Sequence, residues 1–247
     1  MNARPANIPQ MTIDPELLIG LPLFLGMSRS DVDDIIADTG MSVTTCAKGR
    51  IVAGEGDVCR RIVFLLDGTV DVGVRPYDNG YTLTERIGAP DVFQTERLFG
   101  LTQLYSRTCR TATRCRFIFL DKPQVMTMMQ RYVIFRLNLM NMICTQAQKA
   151  DRMLWRDRPE GVRRKIVRFI EERCLRPAGH KTLSIRMERL AREIGESRLN
   201  VSRTLNDMAA RGDIILSRAE ITVPAIDRLI GSQARRDAAE TVGKHAL

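Results

Sequence analysis

Residues Met187–Arg211, MERLAREIGESRLNVSRTLNDMAAR, carry the strongest local pattern in this sequence. Apolar residues recur at helical spacing on both sides of Gly195, which predicts two helices joined by a tight turn. The two apolar stripes are Leu190, Ala191, Ile194 and Val201, Leu205, Met208. Ser197 lies where a hydroxyl can accept a hydrogen bond from the first amides of the second helix. The pattern fits a helix-turn-helix and, equally well, an ordinary helical hairpin with a solvated basic face.

The distribution of charge favours the first interpretation. The 247-residue chain carries 38 Lys and Arg against 29 Asp and Glu, for a net charge of +9. Between Arg156 and Arg218 there are 16 Lys and Arg against 9 Asp and Glu, so this segment holds most of the positive excess. Cationic side chains concentrated around a helix-turn-helix neutralise phosphates, which predicts double-stranded DNA as the partner.

Several classes of protein are disfavoured by the sequence. No apolar run is long enough to span a membrane and Met1–Gln10 lacks the layout of a secretory signal, so we expect a cytoplasmic protein without membrane contact. The six cysteines form no Cys-x-x-Cys pair and only two His residues are present, so no metal site is predicted. Because no nucleophile–base pair or glycine-rich phosphate loop is found, we expect no catalytic residues and no enzyme.

The segment between Ser42 and Phe119 has a different pattern of short β-branched runs interrupted by Gly and Asp. The predicted strands are Ile51–Val52, Ile62–Leu66, Thr69–Val74, Tyr81–Ile87 and Arg116–Leu120. Many short strands at this spacing predict a rolled or closed antiparallel sheet.

A long helix is predicted over Met126–Trp155, which contains neither Gly nor Pro. Its apolar positions recur in steps of four and three: Val133, Leu137, Met140, Cys144, Ala147 and Leu154. This spacing fits the seam of a two-helix dimer, or one amphipathic helix packed on its own domain. Pro159 and Gly161 then indicate a hinge over Arg156–Gly161.

Beyond the hinge the sequence predicts a helix over Val162–Cys174 and a strand over Thr182–Ile185, both before the helix-turn-helix. Ile214–Ser217 and Glu220–Val223 follow it and read as a hairpin, which in this position indicates a wing.

Three further segments resemble the cyclic-nucleotide-binding β-roll: Leu21–Ser28 (LPLFLGMS), Lys48–Asp57 (KGRIVAGEGD) and Phe64–Val70 (FLLDGTV). Followed by the long helix and by Glu196–Leu205 (ESRLNVSRTL), they resemble the Crp/Fnr superfamily of bacterial transcription regulators over about residues 15–223. The resemblance implies an α+β fold with an N-terminal antiparallel β-roll (a double-stranded β-helix), a long dimerisation helix and a C-terminal winged helix-turn-helix.

The same resemblance implies four regions. They are an effector domain at 14–125, a dimerisation helix and hinge at 126–158, a DNA-binding domain at 159–224 and a C-terminal tail at 225–247.

The effector pocket departs from the family pattern. In cyclic-nucleotide-binding members a Gly-Glu pair and a following Arg-Ser pair hold the ribose and the phosphate. Here Glu96 keeps the glutamate, but Thr95 replaces the glycine. Arg107-Thr108, the nearest Arg-hydroxyl pair, comes one residue late, and Arg110-Thr111-Ala112 is a second candidate. On a strand, such a shift turns a side chain to the other face. We expect the pocket at Thr95, Glu96, Arg107 and Thr108, with an unknown effector and without canonical cyclic-nucleotide binding.

The recognition helix keeps part of the family frame. The family's Ser-Arg-x-x-x-x-Arg pattern implies that Arg198 and Arg203 contact bases, and arginine reads guanine through O6 and N7. The alternative for each arginine is nonspecific contact with a phosphate. Leu199 stands where some members carry a Glu that accepts from cytosine, so the operator should differ at that base. The predicted DNA-contacting residues are Ser197, Arg198, Leu199, Asn200, Ser202 and Arg203.

The sequence therefore predicts a homodimeric, sequence-specific transcription regulator under allosteric control by an unidentified effector. RNA polymerase would be a further partner if the protein activates transcription. The alternative is a ligand-sensing module that acts mainly through a protein partner, with the basic helices as a docking surface.

Overall fold

The structure is a computed structural model that describes residues 13–157 and 159–232. The helices are α1 (Pro15–Ile19), α2 (Arg29–Thr39), α3 (Lys122–Arg131), α4 (Val133–Leu154), α5 (Val162–Arg173), α6 (Met187–Ile194), α7 (Arg198–Ala210) and α8 (residues 226–232). The strands are β1 (Val43–Cys46), β2 (Ile51–Ala53), β3 (Arg61–Asp67), β4 (Thr69–Val74), β5 (Tyr81–Gly88), β6 (Asp91–Phe93), β7 (Thr108–Thr111), β8 (Cys115–Asp121), β9 (Lys181–Ile185), β10 (Ile215–Ser217) and β11 (Glu220–Val223).

Within the described ranges, no helix combines the length and the apolar character that crossing a membrane requires. The predicted N-terminal segment Met1–Gln10, one residue of the predicted hinge and residues 233–247 of the predicted tail lie outside the described residues.

The chain divides into two compact units. The first comprises the chain up to Val70 together with Gly88–Leu154, and the second comprises Asp71–Ile87 together with the chain from Trp155 onward. Most of β4 and β5 therefore belongs to the second unit, whereas the sequence assigns both strands to the effector domain at 14–125. The predicted domain boundaries stay a prediction.

The first unit is built on an antiparallel sheet in the order β1-β8-β3-β6, with β2 and β7 paired beside it. Strand β3 buries five consecutive side chains, Ile62–Leu66, as a strand with both faces covered does. Phe24 lies at the centre of the core, with its ring centroid 5.6 Å from those of Phe64 and Phe135. The antiparallel sheet expected from the sequence is thus confirmed.

The prediction of one uninterrupted helix over Met126–Trp155 is wrong. Two helices occupy this segment, α3 and α4, and Tyr132 between them has extended backbone with φ −115° and ψ 106°. The sequence does not reveal the break because the buried side chains keep the spacing of one helix. These side chains are Val125, Met128, Tyr132, Phe135 and Leu139.

Separate anchors for the two helices explain the break. Helix α3 is held to α2, since the Gln124 side chain donates to the Thr39 carbonyl at 2.8 Å and Arg131 pairs with Asp38. Helix α4 is held to the segment before α2, because Asn138 donates to the carbonyls of Leu23 and Leu25 at 3.2 and 2.9 Å. One non-helical residue at Tyr132 allows both sets of contacts.

The second unit contains a sheet in the order β10-β11-β9-β5-β4, with its helices packed on a single apolar core. The core takes residues from the strands and from the helices, among them Leu83, Leu183, Ile166, Leu190, Val201 and Leu205. The pairing of β5 with β9 joins residues about 100 positions apart, Tyr81 with Ile185 through to Glu85 with Lys181. No local sequence pattern predicts such a pairing.

A buried ion pair lies at the end of this pairing. The Lys181 ammonium is 3.1 Å from the Glu85 carboxylate, and their side chains are 1% and 0% exposed. Lys181 also donates to the Ala178 carbonyl at 2.7 Å, while Glu85 accepts from the amides of Leu175 and Arg176. Both charges are therefore paired and hydrogen-bonded, as burial of an ion pair requires.

We expect Lys181→Met to lower the free energy of unfolding by about 3–5 kcal/mol, because it leaves the Glu85 carboxylate buried without its counter-ion. Arg86→Met is the matched control on the same strand. Its ion pair with Asp71 is also short, at 2.9 Å, but the two side chains are 54% and 29% exposed. The control should lose less than about 1 kcal/mol. Urea unfolding followed by circular dichroism measures both, and equal losses would contradict the role given to Glu85–Lys181.

Candidate nucleic-acid interface and effector pocket

The turn between α6 and α7 has the predicted geometry. Gly195 ends α6 in the left-handed conformation with φ 65° and ψ 44°. The amide of Glu196 then donates back to the Ala191 carbonyl at 2.9 Å, which closes the end of the helix. Ser197 caps α7, since its hydroxyl accepts from the Asn200 amide at 3.1 Å.

The apolar stripes of both helices face the core of the second unit. Leu190 and Ala191 of α6 are buried, and Ile194 packs at the edge of the same cluster. On α7 the buried residues are Val201, Leu205 and Met208. The stripe fixes which face of α7 is turned outward, because residues between these positions project away from the core.

The outward face of α7 contains most of the residues predicted to contact DNA. Ser197, Arg198, Leu199, Asn200 and Arg203 are exposed, and Ser202 is half-buried. Leu199 leaves 57% of its surface exposed, although it is a large apolar residue near the start of a helix. An exposed leucine between polar neighbours is available for apolar contact with a partner.

The two arginines of this face have different surroundings. Arg198 Nε lies 3.1 Å from the carboxylate of Glu188 on α6, and both side chains are mostly exposed. Arg203 makes no ion pair with any of the described residues. An exposed ion pair such as Arg198–Glu188 contributes little to stability, so it costs little to break. The guanidinium groups of Arg198 and Arg203 are therefore both available to bind a phosphate or a base.

The turn before α7 is held to α5 by an ion pair. The Glu196 carboxylate lies 2.5 Å from the Lys165 ammonium. The Lys165 ammonium lowers the pKa of the Glu196 carboxyl below its ordinary value. This contact could not be predicted from the sequence, because Lys165 lies on α5 and Glu196 lies in the turn between α6 and α7.

Two basic residues of α5 are paired with acidic residues of the same unit. Arg163 is only 15% exposed at its side chain and lies 3.0 Å from the Asp213 carboxylate. Lys165 is paired with Glu196, as described above. Part of the positive excess of this segment is therefore neutralised within the protein, which leaves the α7 face as a separate cationic surface.

In the first unit, the four residues of the predicted effector pocket lie on two segments joined by Gln94. Thr95 is buried and begins a 3-10 turn over Thr95–Arg97. Glu96 lies in this turn, with its carboxylate 3.6 Å from Arg97 Nε.

Gln94 bonds to the second segment, where it accepts from the amides of Ser106 and Arg107 at 2.8 and 3.1 Å. Thr108 begins β7, and its hydroxyl accepts from the Glu55 amide at 3.2 Å. The sequence pattern gave no reason to single out Gln94.

A cavity of ≈ 430 Å³ lies in the same unit but is not formed by these residues. It is lined by Val52, Ala53, Asp57, Val58, Arg60, Arg61 and Tyr105. The Tyr105 hydroxyl donates to the Arg61 carbonyl at 3.0 Å, and burial raises the pKa of this phenol well above its ordinary value.

As for metal ligands, residues 13–157 and 159–232 contain no group of three or more His, Cys, Asp or Glu side chains placed to hold an ion.

Residues 43–132 match the family model of the cyclic nucleotide-binding domain. A CRP-like cAMP-activated global transcriptional regulator from Mycobacterium tuberculosis is 23% identical over 226 residues, which cover 87% of this chain and 97% of that protein.

Two solved structures are also similar. The catabolite activator protein of Thermus thermophilus matches with a TM-score of 0.49 and 20% identity over 85% of this chain and 96% of that chain. A candidate Crp/Fnr-family regulator from Eubacterium rectale matches with a TM-score of 0.48 and 18% identity over 86% and 98%.

We expect Gly195→Ala to lower the free energy of unfolding by about 1–2 kcal/mol, because a Cβ disfavours the left-handed backbone at φ 65°. Crowding is not involved, since an added Cβ meets nothing within 4 Å. Gly231→Ala in α8 is the matched control, because it has the same open space but no positive φ. The control should gain up to about 1 kcal/mol. The same sign for both variants, measured by thermal unfolding, would contradict the assigned turn.

Proposed function

Because the chain belongs to the Crp/Fnr superfamily of transcription regulators, we propose that it binds DNA sequence-specifically as a homodimer and regulates transcription. The observation that carries this proposal is the outward face of α7, which presents Arg198 and Arg203 opposite a fully buried stripe. Half-sites about one helical turn apart, related by the two-fold symmetry of the dimer, follow from this arrangement.

In this proposal α6 and α7 form the helix-turn-helix, and α7 enters the major groove. Arg198 and Arg203 donate to guanine O6 and N7 or to phosphates, since an arginine fork matches both. Leu199 contacts a thymine methyl group, because it has no atom that accepts from cytosine. Ser197, Asn200 and Ser202 position the helix on the backbone or on base edges.

The hairpin of β10 and β11 acts as a wing beside this helix. Its tip carries Arg218 and Ala219, both exposed, and Ala219 has a positive φ of 57°. An exposed arginine at the tip of a hairpin next to the recognition helix is suited to contact a phosphate of the flanking duplex. The DNA-binding domain is proposed to span residues 159–224, with this hairpin near its C-terminal boundary.

The homodimer is proposed to form along α4. This 22-residue helix exposes the apolar positions that the sequence spacing selected, with Val133 54%, Leu137 46% and Met140 49% exposed. Cys144 and Ala147 continue the exposed stripe. A second copy of α4 would remove this apolar surface from water, and the steps of four and three match a two-helix seam.

The first unit is proposed to be the effector domain, with Thr95, Glu96, Arg107 and Thr108 near the effector. A relative of this chain is named for activation by cAMP, but the Thr95 substitution separates this chain from the canonical pattern. The effector is therefore left unidentified. RNA polymerase is proposed as a further partner if the protein is an activator.

We expect Arg198→Ala to weaken binding to a selected operator duplex by about 1–3 kcal/mol per half-site, because a bidentate base contact is lost. Binding to a scrambled duplex should stay weak and salt-dependent, since it rests on the other cations. Arg211→Ala removes another exposed arginine, beyond the C-terminal end of α7; it is the control and should change operator affinity little. Fluorescence anisotropy at fixed salt compares the three proteins. Unchanged operator affinity for Arg198→Ala would show that the first turn of α7 does not read bases.

We expect Leu137→Arg to weaken dimerisation at least about tenfold, because it places two like charges within one apolar seam. Thr145→Arg is the control, since Thr145 is exposed on the same helix but lies outside the apolar stripe. Sedimentation velocity over a concentration series measures both. Equal dimerisation of Leu137→Arg and the unchanged chain would place the dimer interface elsewhere.

A further inference from the structure

In the first unit, the side-chain oxygen of Gln94 accepts hydrogen bonds from three donors of one neighbouring segment. Its side-chain oxygen accepts from the Ser106 amide at 2.8 Å, the Arg107 amide at 3.1 Å and the Ser106 hydroxyl at 3.3 Å. Its side-chain nitrogen donates to the Arg107 carbonyl at 3.0 Å. The residue is only 4% exposed, so this carboxamide is held inside the protein.

The backbone of Gln94 is unfavourable for a residue with a side chain. It adopts the left-handed conformation, with φ 52° and ψ 37°, immediately before the turn that carries Thr95 and Glu96. Glycine reaches this conformation without steric cost, whereas glutamine does not. The hydrogen bonds to Ser106 and Arg107 offset this cost and keep the side chain directed at the donors.

The donors that surround the Gln94 oxygen are those that an oxyanion would use. Two successive backbone N–H groups that point at one site form a concavity which binds anions, and the Ser106 hydroxyl adds a third donor. The site lies between Thr95-Glu96 and Arg107-Thr108, the two segments of the proposed effector pocket. The neutral side-chain oxygen of Gln94 thus occupies the position at which a phosphate oxygen would accept these hydrogen bonds.

We propose that Gln94 closes an oxyanion subsite of the effector pocket and thereby excludes effectors that are anchored there by a phosphate. It rests on the proposed role of the first unit as an effector domain, and it restricts the chemistry of the ligand that this domain can bind. An entering phosphate must displace an acceptor that is already tethered beside the donors. It must also leave the displaced carboxamide without partners in a buried position, which is costly.

The experiment removes the Gln94 side chain and keeps the backbone. Gln94→Gly is suited to this because glycine tolerates the positive φ of this position, and Gln94→Ala serves as a second variant. Isothermal titration calorimetry of the full chain uses two probes, inorganic phosphate and 3′,5′-cyclic AMP. We expect no saturable binding by the unchanged chain and at least about tenfold tighter binding of one or both probes by the variants.

Two matched proteins control for the loss of a glutamine and for the loss of the acceptor. Gln103→Ala removes a glutamine of the same unit whose side chain donates to the Gly100 carbonyl at 3.1 Å and accepts from Lys122 at 2.8 Å. It should behave as the unchanged chain. Gln94→Glu retains an acceptor beside the Ser106 and Arg107 amides, and this variant should exclude both probes as well.

Two results would overturn the proposal. One is saturable micromolar binding of cyclic AMP by the unchanged chain. The other is the absence of binding to both probes by Gln94→Gly and Gln94→Ala, when their thermal unfolding shows that they are folded. Because the titration does not involve DNA, failure of the proposed regulator function would be seen in the operator-binding measurements and not here.

Discussion

The second unit depends on the burial of two opposite charges, Glu85 and Lys181, at one end of the β5–β9 pairing. A charge buried without its partner is costly, so the observed register, which places these two residues opposite each other, is favoured over registers that separate them. In this register Leu83 and Leu183 lie opposite each other, and both belong to the apolar core to which α5, α6 and α7 contribute. The orientation of the outward face of α7 therefore depends on a pairing far from it in sequence.

The two proposed functional regions differ in how closely their sequences follow the Crp/Fnr pattern. The proposed DNA-binding region retains both arginines of the pattern and has Leu199 where some members carry Glu, so we expect different bases to be read by the same mode of binding. The proposed effector region departs further, since Thr95 stands where the pattern has glycine and Gln94 accepts from the Ser106 and Arg107 amides. A regulator of this kind would bind DNA as other Crp/Fnr regulators do but would respond to a different effector.

Features that depend on neighbouring residues could be predicted from the sequence, and features that depend on distant residues could not. Gly195, Ser197 and the stripes of α6 and α7 were predicted because caps and helical periodicity are local. The break at Tyr132 was missed because the buried spacing of α3 continues into α4. Gln94 was missed because its donors come from Ser106 and Arg107, and nothing in the sequence marks a non-glycine residue with positive φ.

The most direct test of sequence-specific DNA binding by this protein is selection of duplexes from a random pool by the full-length chain at physiological salt. We expect enrichment of one pseudo-palindromic site with half-sites about one helical turn apart and a guanine in each half-site. A pool that stays random after repeated selection, with binding governed by salt alone, would contradict sequence-specific recognition by α7.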